Sequence, residues 1–119
     1  MSDSQGPALP AALARLHRLG GEALVSRLVE LFAENTPRRL QTVAEGCRNG
    51  DLNEARRALH SLRSTAGNLG AEELATAAGA LELLAERGAA AAVLEGLPRL
   101  HSLCQSTSNY LESHNRRSS

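Results

Sequence analysis

Between Leu52 and Leu69, apolar side chains fall at Leu52, Ala55, Leu59, Leu62, Ala66 and Leu69, at spacings of 3, 4, 3, 4 and 3 residues. A half-buried strand alternates every second residue, whereas this rhythm is the seam of a helix laid along other helices. It recurs at Val93, Leu97, Leu100, Cys104, Thr107 and Leu111, at spacings of 4, 3, 4, 3 and 4. Composition points the same way. Leu and Ala dominate, Ile and Trp are absent, Val occurs four times and aromatics are 2%. Strands favour β-branched and aromatic residues, and helices favour Ala, Leu, Glu and Arg. The chain is therefore expected to be all-α, and its 119 residues suggest one domain.

The punctuation divides the chain further. Residues 1–7 read as a flexible lead. A short helix is expected from Leu9 to Leu19, with Leu9, Leu13 and Leu16 on one side, stopped by Gly20 and Gly21. The next helix runs from about Glu22 to Arg48 on Leu24, Leu28, Leu31, Phe32, Leu40, Val43 and Cys47. Pro37 predicts a kink near Ala33 to Pro37, or a break with Thr36 as N-cap. Asn49-Gly50 closes this helix. Asp51, with Glu54 three residues on, gives a capping-box-like start to a helix that ends before Gly70. A further helix, Ala71 to Arg87, carries Leu74, Ala78, Leu81 and Leu84 inward and stops at Gly88. The last spans Ala89 to Ser113, where Gly96 and Pro98 predict a kink or a weak first turn; 114–119 is a frayed polar tail. Short loops between long helices make neighbours antiparallel. The expectation is an up-down four-helix bundle over 8–113, with the short N-terminal helix across one end.

Several classes are disfavoured. Formal net charge is zero, with thirteen Arg, no Lys and thirteen acids, so the basic excess of a nucleic-acid binder is missing. No apolar run reaches the ~18 residues of a membrane span. Met1 to Pro7 lacks a hydrophobic signal segment. Cys47 and Cys104 lie outside metal-ligand spacing and on apolar stripes, which favours free thiols in a reducing compartment. The reading is a cytoplasmic monomer with no nucleic acid or membrane as partner.

His60 follows the seam residue Leu59 but lies off the seam, roughly 130° from the mean stripe direction at ~100° per residue. It is presented outward from the middle of a long helix. Arg56, Arg57, Arg63, Ser64 and Gly67 share its side. Taken alone, a solvent-facing histidine on an Arg-rich surface is the commoner explanation. Neutral imidazole is nevertheless a competent nucleophile near neutral pH and can carry a covalent intermediate. Arg63 would offset charge on a bound phosphoryl group, and small residues at 64 and 67 would admit a partner. His60 lies ten residues before Gly70 and Glu82 twelve after it, so an antiparallel pair sets them at nearly one height. Glu82 is then either a solvated surface acid or the acceptor of a hydrogen bond from His60 Nδ1–H, which would free Nε2. His17, His101 and His114 have no metal-ligand spacing and read as surface or boundary residues. Asp51, Glu72 and Glu73 are explained as caps and dipole partners.

The stretch Ala58 to Ala71, A-L-H-S-L-R-S-T-A-G-N-L-G-A, resembles the signature of the histidine phosphotransfer family of bacterial multistep phosphorelays, roughly A-H-x-L-K-G-S-A-x-x-L-G-A. The run Leu74 to Glu82, L-x-x-x-A-x-x-L-E, and the upstream helix with its mid-helix proline are also similar to the family, so the resemblance covers about 9–112. It implies a carrier, not an enzyme with its own ATP site or autokinase activity. His60 would take a phosphoryl group from the aspartate of one receiver domain and pass it to another. Partners would be response-regulator receivers and a hybrid sensor histidine kinase, with Arg56 and Arg57 on the docking face. The chain would need no cofactor of its own, and Mg²⁺ would belong to the receiver. Two positions depart from the pattern: Arg63 stands for the usual Lys and Ser64 for the usual Gly. The Ser64 hydroxymethyl would either crowd a receiver or donate to phosphoryl oxygens. The alternative is a related module that docks a receiver or kinase without relaying phosphate.

Overall fold

A computed structural model describes residues 8–118. Four helices account for them: α1 (Ala8–Asn49), α2 (Leu52–Asn68), α3 (Glu72–Glu86) and α4 (Ala90–Ser118). Each packs on its neighbours in the order α1–α2–α3–α4, and α4 closes back on α1. The expected lead, 1–7, and Ser119 lie outside the described residues.

The turns share one construction. At the end of α2, Gly70 takes φ 77°, a left-handed conformation that a side chain would oppose. The reversal lets Ala71 N–H donate to Ala66 C=O at 2.9 Å and so satisfies a carbonyl the helix leaves open. The same five-residue reach closes α1 (Asp51 N–H to Gly46 C=O, 2.8 Å) and α3 (Ala89 N–H to Leu84 C=O, 3.0 Å). Asp51 caps α2 by accepting from Glu54 N–H at 3.1 Å. Only half of the capping box forms: the Asp51 N–H is already donated to Gly46 C=O, and the Glu54 carboxylate pairs with Arg57.

The separate N-terminal helix is not present as its own element. Residues 8–20 are the first part of α1, but Gly21 takes a non-helical conformation (φ 72°, ψ −167°), so the helical path is interrupted where Gly20 and Gly21 were expected to stop it. Pro37 neither breaks nor ends the helix. Glycine admits φ near +70° without a Cβ clash, whereas the proline ring holds a φ the helix already uses. Gly96 and Pro98 likewise sit within one uninterrupted α4. Gly96 is a packing notch: a Cβ there would fall 2.6 Å from Leu81 Cδ2, so its absence lets α3 and α4 approach. The tail is also corrected. Helix continues to Ser118, tied by Ser26 Oγ donating to Asn115 Oδ1 at 2.9 Å and by stacking of Tyr110 on His114.

The core follows the two seams closely. Ala55, Leu59, Leu62, Ala66 and Leu69 are buried from α2, and all six α4 seam residues are buried. Thr107 is tolerated there because its hydroxyl donates to Leu103 C=O at 2.8 Å. In α1 Leu9, Leu13, Phe32, Leu40, Val43 and Cys47 are buried as expected, but between Gly21 and Phe32 the inward places go to Val25 and Val29, and Leu24, Leu28 and Leu31 are only half-buried. Leu28 and Leu31 instead line a cleft of about 460 Å³ with Leu16, Phe32 and the Arg15 and Arg39 rims. In α3 Ala85 takes the buried place expected for Leu84.

Cys47 and Cys104 are free and buried. Burial raises the Cys47 thiol, with Arg48 opposing, and pushes that of Cys104 up to about 12. Thiolate is the reactive form. Alkylation of Cys104 by iodoacetamide at pH 8.5 is therefore expected to be slow in the folded protein and rapid in denaturant. Equal rates in the two states, read by mass spectrometry, would contradict the burial. The linkage has a definite sign. The folded pKa lies above the unfolded one, so this group's contribution is intact below about pH 9 and is lost as pH rises toward 12.

Candidate functional site

His60 stands mid-way along α2 beside Leu59, which is fully buried and fixes the helix rotation. That rotation leaves the His60 side chain 53% exposed. Across the α2–α3 groove lies Glu82, set by the buried Ala78, Leu81 and Ala85 of α3. Its side chain is only 10% exposed. The antiparallel arrangement expected from the short turn at Gly70 thus brings the two residues together. His60 Nδ1 is 2.9 Å from Glu82 Oε2.

Arg63, one turn beyond His60, completes a three-residue cluster. Its Nε lies 3.0 Å from Glu82 Oε1, and its Nη2 lies 3.1 Å from His60 Nδ1. These contacts cannot all be hydrogen bonds, because one ring nitrogen cannot both donate to the carboxylate and accept from the guanidinium. An ionised carboxylate only accepts, and a guanidinium only donates. The consistent assignment gives Nδ1 the proton, donated to Glu82 Oε2, while Arg63 Nε–H donates to Oε1. Nη2 then lies against the ring edge without a bond to it. A nearly buried carboxylate is tolerable when both oxygens are occupied by donors, as here. In this tautomer Nε2 holds the free lone pair, and it makes no hydrogen bond among the described residues.

The remaining candidate residues divide. Ser64 and Gly67 are exposed and line a shallow groove with Arg63, Ala75, Thr76 and Gly79. A Cβ on Gly67 would meet nothing within 4 Å, so open space flanks the ring on this side. Arg56 and Arg57 do not turn toward His60. Arg56 donates to Asn53 Oδ1 at 3.1 Å, and Arg57 pairs with Glu54. Only one of the three arginines therefore reaches the ring. His17 and His101 are exposed, and His114 is half-buried. Among the described residues no group of three or more His, Cys, Asp or Glu side chains could hold a metal ion, and no helix is long and apolar enough to cross a membrane.

Sequence reasoning missed Gly79, which faces the Arg63 side chain from α3. The available signal was a glycine inside an Ala-rich helix, one turn before Glu82 and so on its face.

No curated protein and no solved structure gives a significant match. The profile of the Hpt domain matches residues 27–110, which takes in most of α1, all of α2 and α3, and most of α4. Hpt domains are phosphotransfer modules of phosphorelays, distinct from kinase catalytic domains, and they generally interact with receiver domains. With more than half of its length matched, including His60, Arg63 and Glu82, the chain belongs to the Hpt domain family.

Proposed function

We propose that this chain relays a phosphoryl group between receiver-domain aspartates through Nε2 of His60. The observation that carries the reading is the hydrogen bond from the half-exposed His60 ring to the nearly buried Glu82 at 2.9 Å. It supports Nε2 as the nucleophile, because the carboxylate holds the ring proton on Nδ1. In the forward step Nε2 attacks the phosphorus of an aspartyl phosphate. The N–P bond forms as the acyl P–O bond breaks, and the aspartate leaves as a carboxylate. Positive charge develops on the ring, and Glu82, already accepting from Nδ1–H, stabilises it without reorganising. The return step is the reverse, onto a second receiver.

Phosphoryl transfer depends on alignment and charge stabilisation more than on covalent assistance. A stiff helix presenting one oriented ring supplies the alignment. The receiver would bring Mg²⁺ and its acidic pocket. Arg63 lies at the ring edge, where a guanidinium offsets charge on the incoming phosphoryl oxygens. Arg56 and Arg57, with Ser64 and Gly67, would form part of the docking face around the ring. The upstream donor would be the receiver of a hybrid sensor kinase in the cytoplasm, engaged by a monomeric carrier.

The test is direct. The chain is mixed with a receiver domain carrying ³²P on its aspartate, with Mg²⁺ present. Acid-labile, alkali-stable label on this chain, mapped to His60 and moved on by a second receiver, is the expected result. Stable binding without label across a panel of receivers would replace the relay with a docking module. Acid-stable label would place the phosphate on a hydroxyl residue and defeat the assignment.

A further inference from the structure

Gly79 lies in the interior of α3, where no left-handed backbone calls for glycine. Glycine weakens a helix interior relative to alanine because it loses more chain entropy on folding. Something other than helix formation must therefore favour it. A Cβ built on Gly79 falls 3.0 Å from Arg63 Cδ and 4.0 Å from Arg63 Cγ. The aliphatic arm of Arg63 thus crosses α3 over the bare Cα of Gly79. Beyond that crossing its Nε meets Glu82 Oε1 at 3.0 Å. The other carboxylate oxygen, Oε2, meets His60.

We propose that Gly79 is a positioning residue for the phosphoryl-accepting histidine: its missing side chain seats the Arg63 arm, which holds Glu82 so that Oε2 faces Nδ1. The proposal rests on the reading of His60 as the acceptor. The chain of cause is steric, then electrostatic. With the arm seated, the guanidinium occupies Oε1 and fixes the plane of the carboxylate. With the arm displaced, Glu82 keeps a nearly buried charge with one oxygen unpaired, and it is free to rotate away from the imidazole. The arm is held at its far end by Glu82 and at its near end by the α2 backbone. A crowded Cδ therefore has little room to relax without lengthening the ion pair.

The experiment uses Gly79→Ala and Gly79→Leu, both better helix formers than glycine, so neither weakens α3 through propensity. Phosphoramidate serves as donor, because it needs no partner protein. Nε2 bonds to phosphorus as the P–N bond breaks, and ammonia leaves with the protons already on its nitrogen. The labelling rate is expected to fall about threefold in Gly79→Ala and about tenfold or more in Gly79→Leu, since small misplacements of reacting groups weigh heavily on rate. The melting temperature of Gly79→Ala should be no lower than that of the parent. The Arg63 Nε–H resonance, set apart by its ion pair in the parent, should move to the position of free arginine side chains. In an Arg63→Ala background the Gly79 changes should leave the rate unchanged, because coupled residues are not additive. An unmoved Arg63 resonance, or an equal rate loss in both backgrounds, overturns the proposal while a labelled parent keeps the His60 reading. A parent chain that takes no label removes that reading and the proposal with it.

Discussion

A His60→Gln variant is expected to take up no phosphoryl label from a phosphorylated receiver while folding as well as the parent. The loss should be complete, because glutamine offers no nitrogen lone pair of comparable basicity and the other histidines lie elsewhere. His101 belongs to the α1–α4 side of the bundle, and His114 is stacked on Tyr110. Stability should change by no more than about 0.5 kcal/mol, the usual range for surface substitutions that leave no buried partner without a donor. The choice of glutamine matters for this. Its amide N–H can donate to Glu82 Oε2 in place of Nδ1–H, so the nearly buried carboxylate keeps two donors. An alanine at the same position would remove a donor and confuse a site effect with a folding one. Transfer assays paired with thermal melts by circular dichroism decide the matter. Label retained on His60→Gln would move the acceptor to another residue.

The adjacent position should behave in the opposite way. Leu59 is 0% exposed and lies on the α2 seam between Ala55 and Leu62. Leu59→Ala removes apolar contacts and leaves a cavity that helices can close only in part. The expected loss is about 2–5 kcal/mol. With a urea m-value of roughly 1–3 kcal/mol/M for small proteins, the unfolding midpoint should drop by on the order of 1–2 M. Label from a receiver should still appear on the folded fraction, because His60, Arg63 and Glu82 are untouched. A midpoint shift too small to resolve would show that the seam at this level is loosely packed. Neighbouring residues thus separate the two jobs of α2: one side of the rod holds the bundle and the other presents the ring.

Much of this was readable in advance, for identifiable reasons. The α2 and α4 seams, the Asp51 cap and the reversals at Gly50, Gly70 and Gly88 each depend on residues within about one turn of one another. The pairing of His60 with Glu82 is long-range, but the tight turn at Gly70 reduces it to counting along two antiparallel rods. Elsewhere local rules gave no unique answer. Two apolar stripes run side by side in α1, and nothing within the helix says whether Leu24 and Leu28 or Val25 and Val29 face the centre. Helix rotation decides it, and rotation is set by the neighbours. The tail of α4 looked frayed because its own residues are polar; it is held by a hydrogen bond to Ser26, eighty-nine residues away in the chain.

The sequence by itself determined four helices, where three of their turns fall, and which histidine stands off the seam. Periodicity, capping and glycine reversals are short-range physics, and a linear sequence displays them directly. Tertiary structure alone decided that the arm of Arg63 crosses Gly79 to Glu82, that Arg56 and Arg57 turn away, and which stripe of α1 faces the centre. Those outcomes depend on where a long, flexible side chain or a whole helix comes to rest. Only the atoms it meets across the bundle settle that.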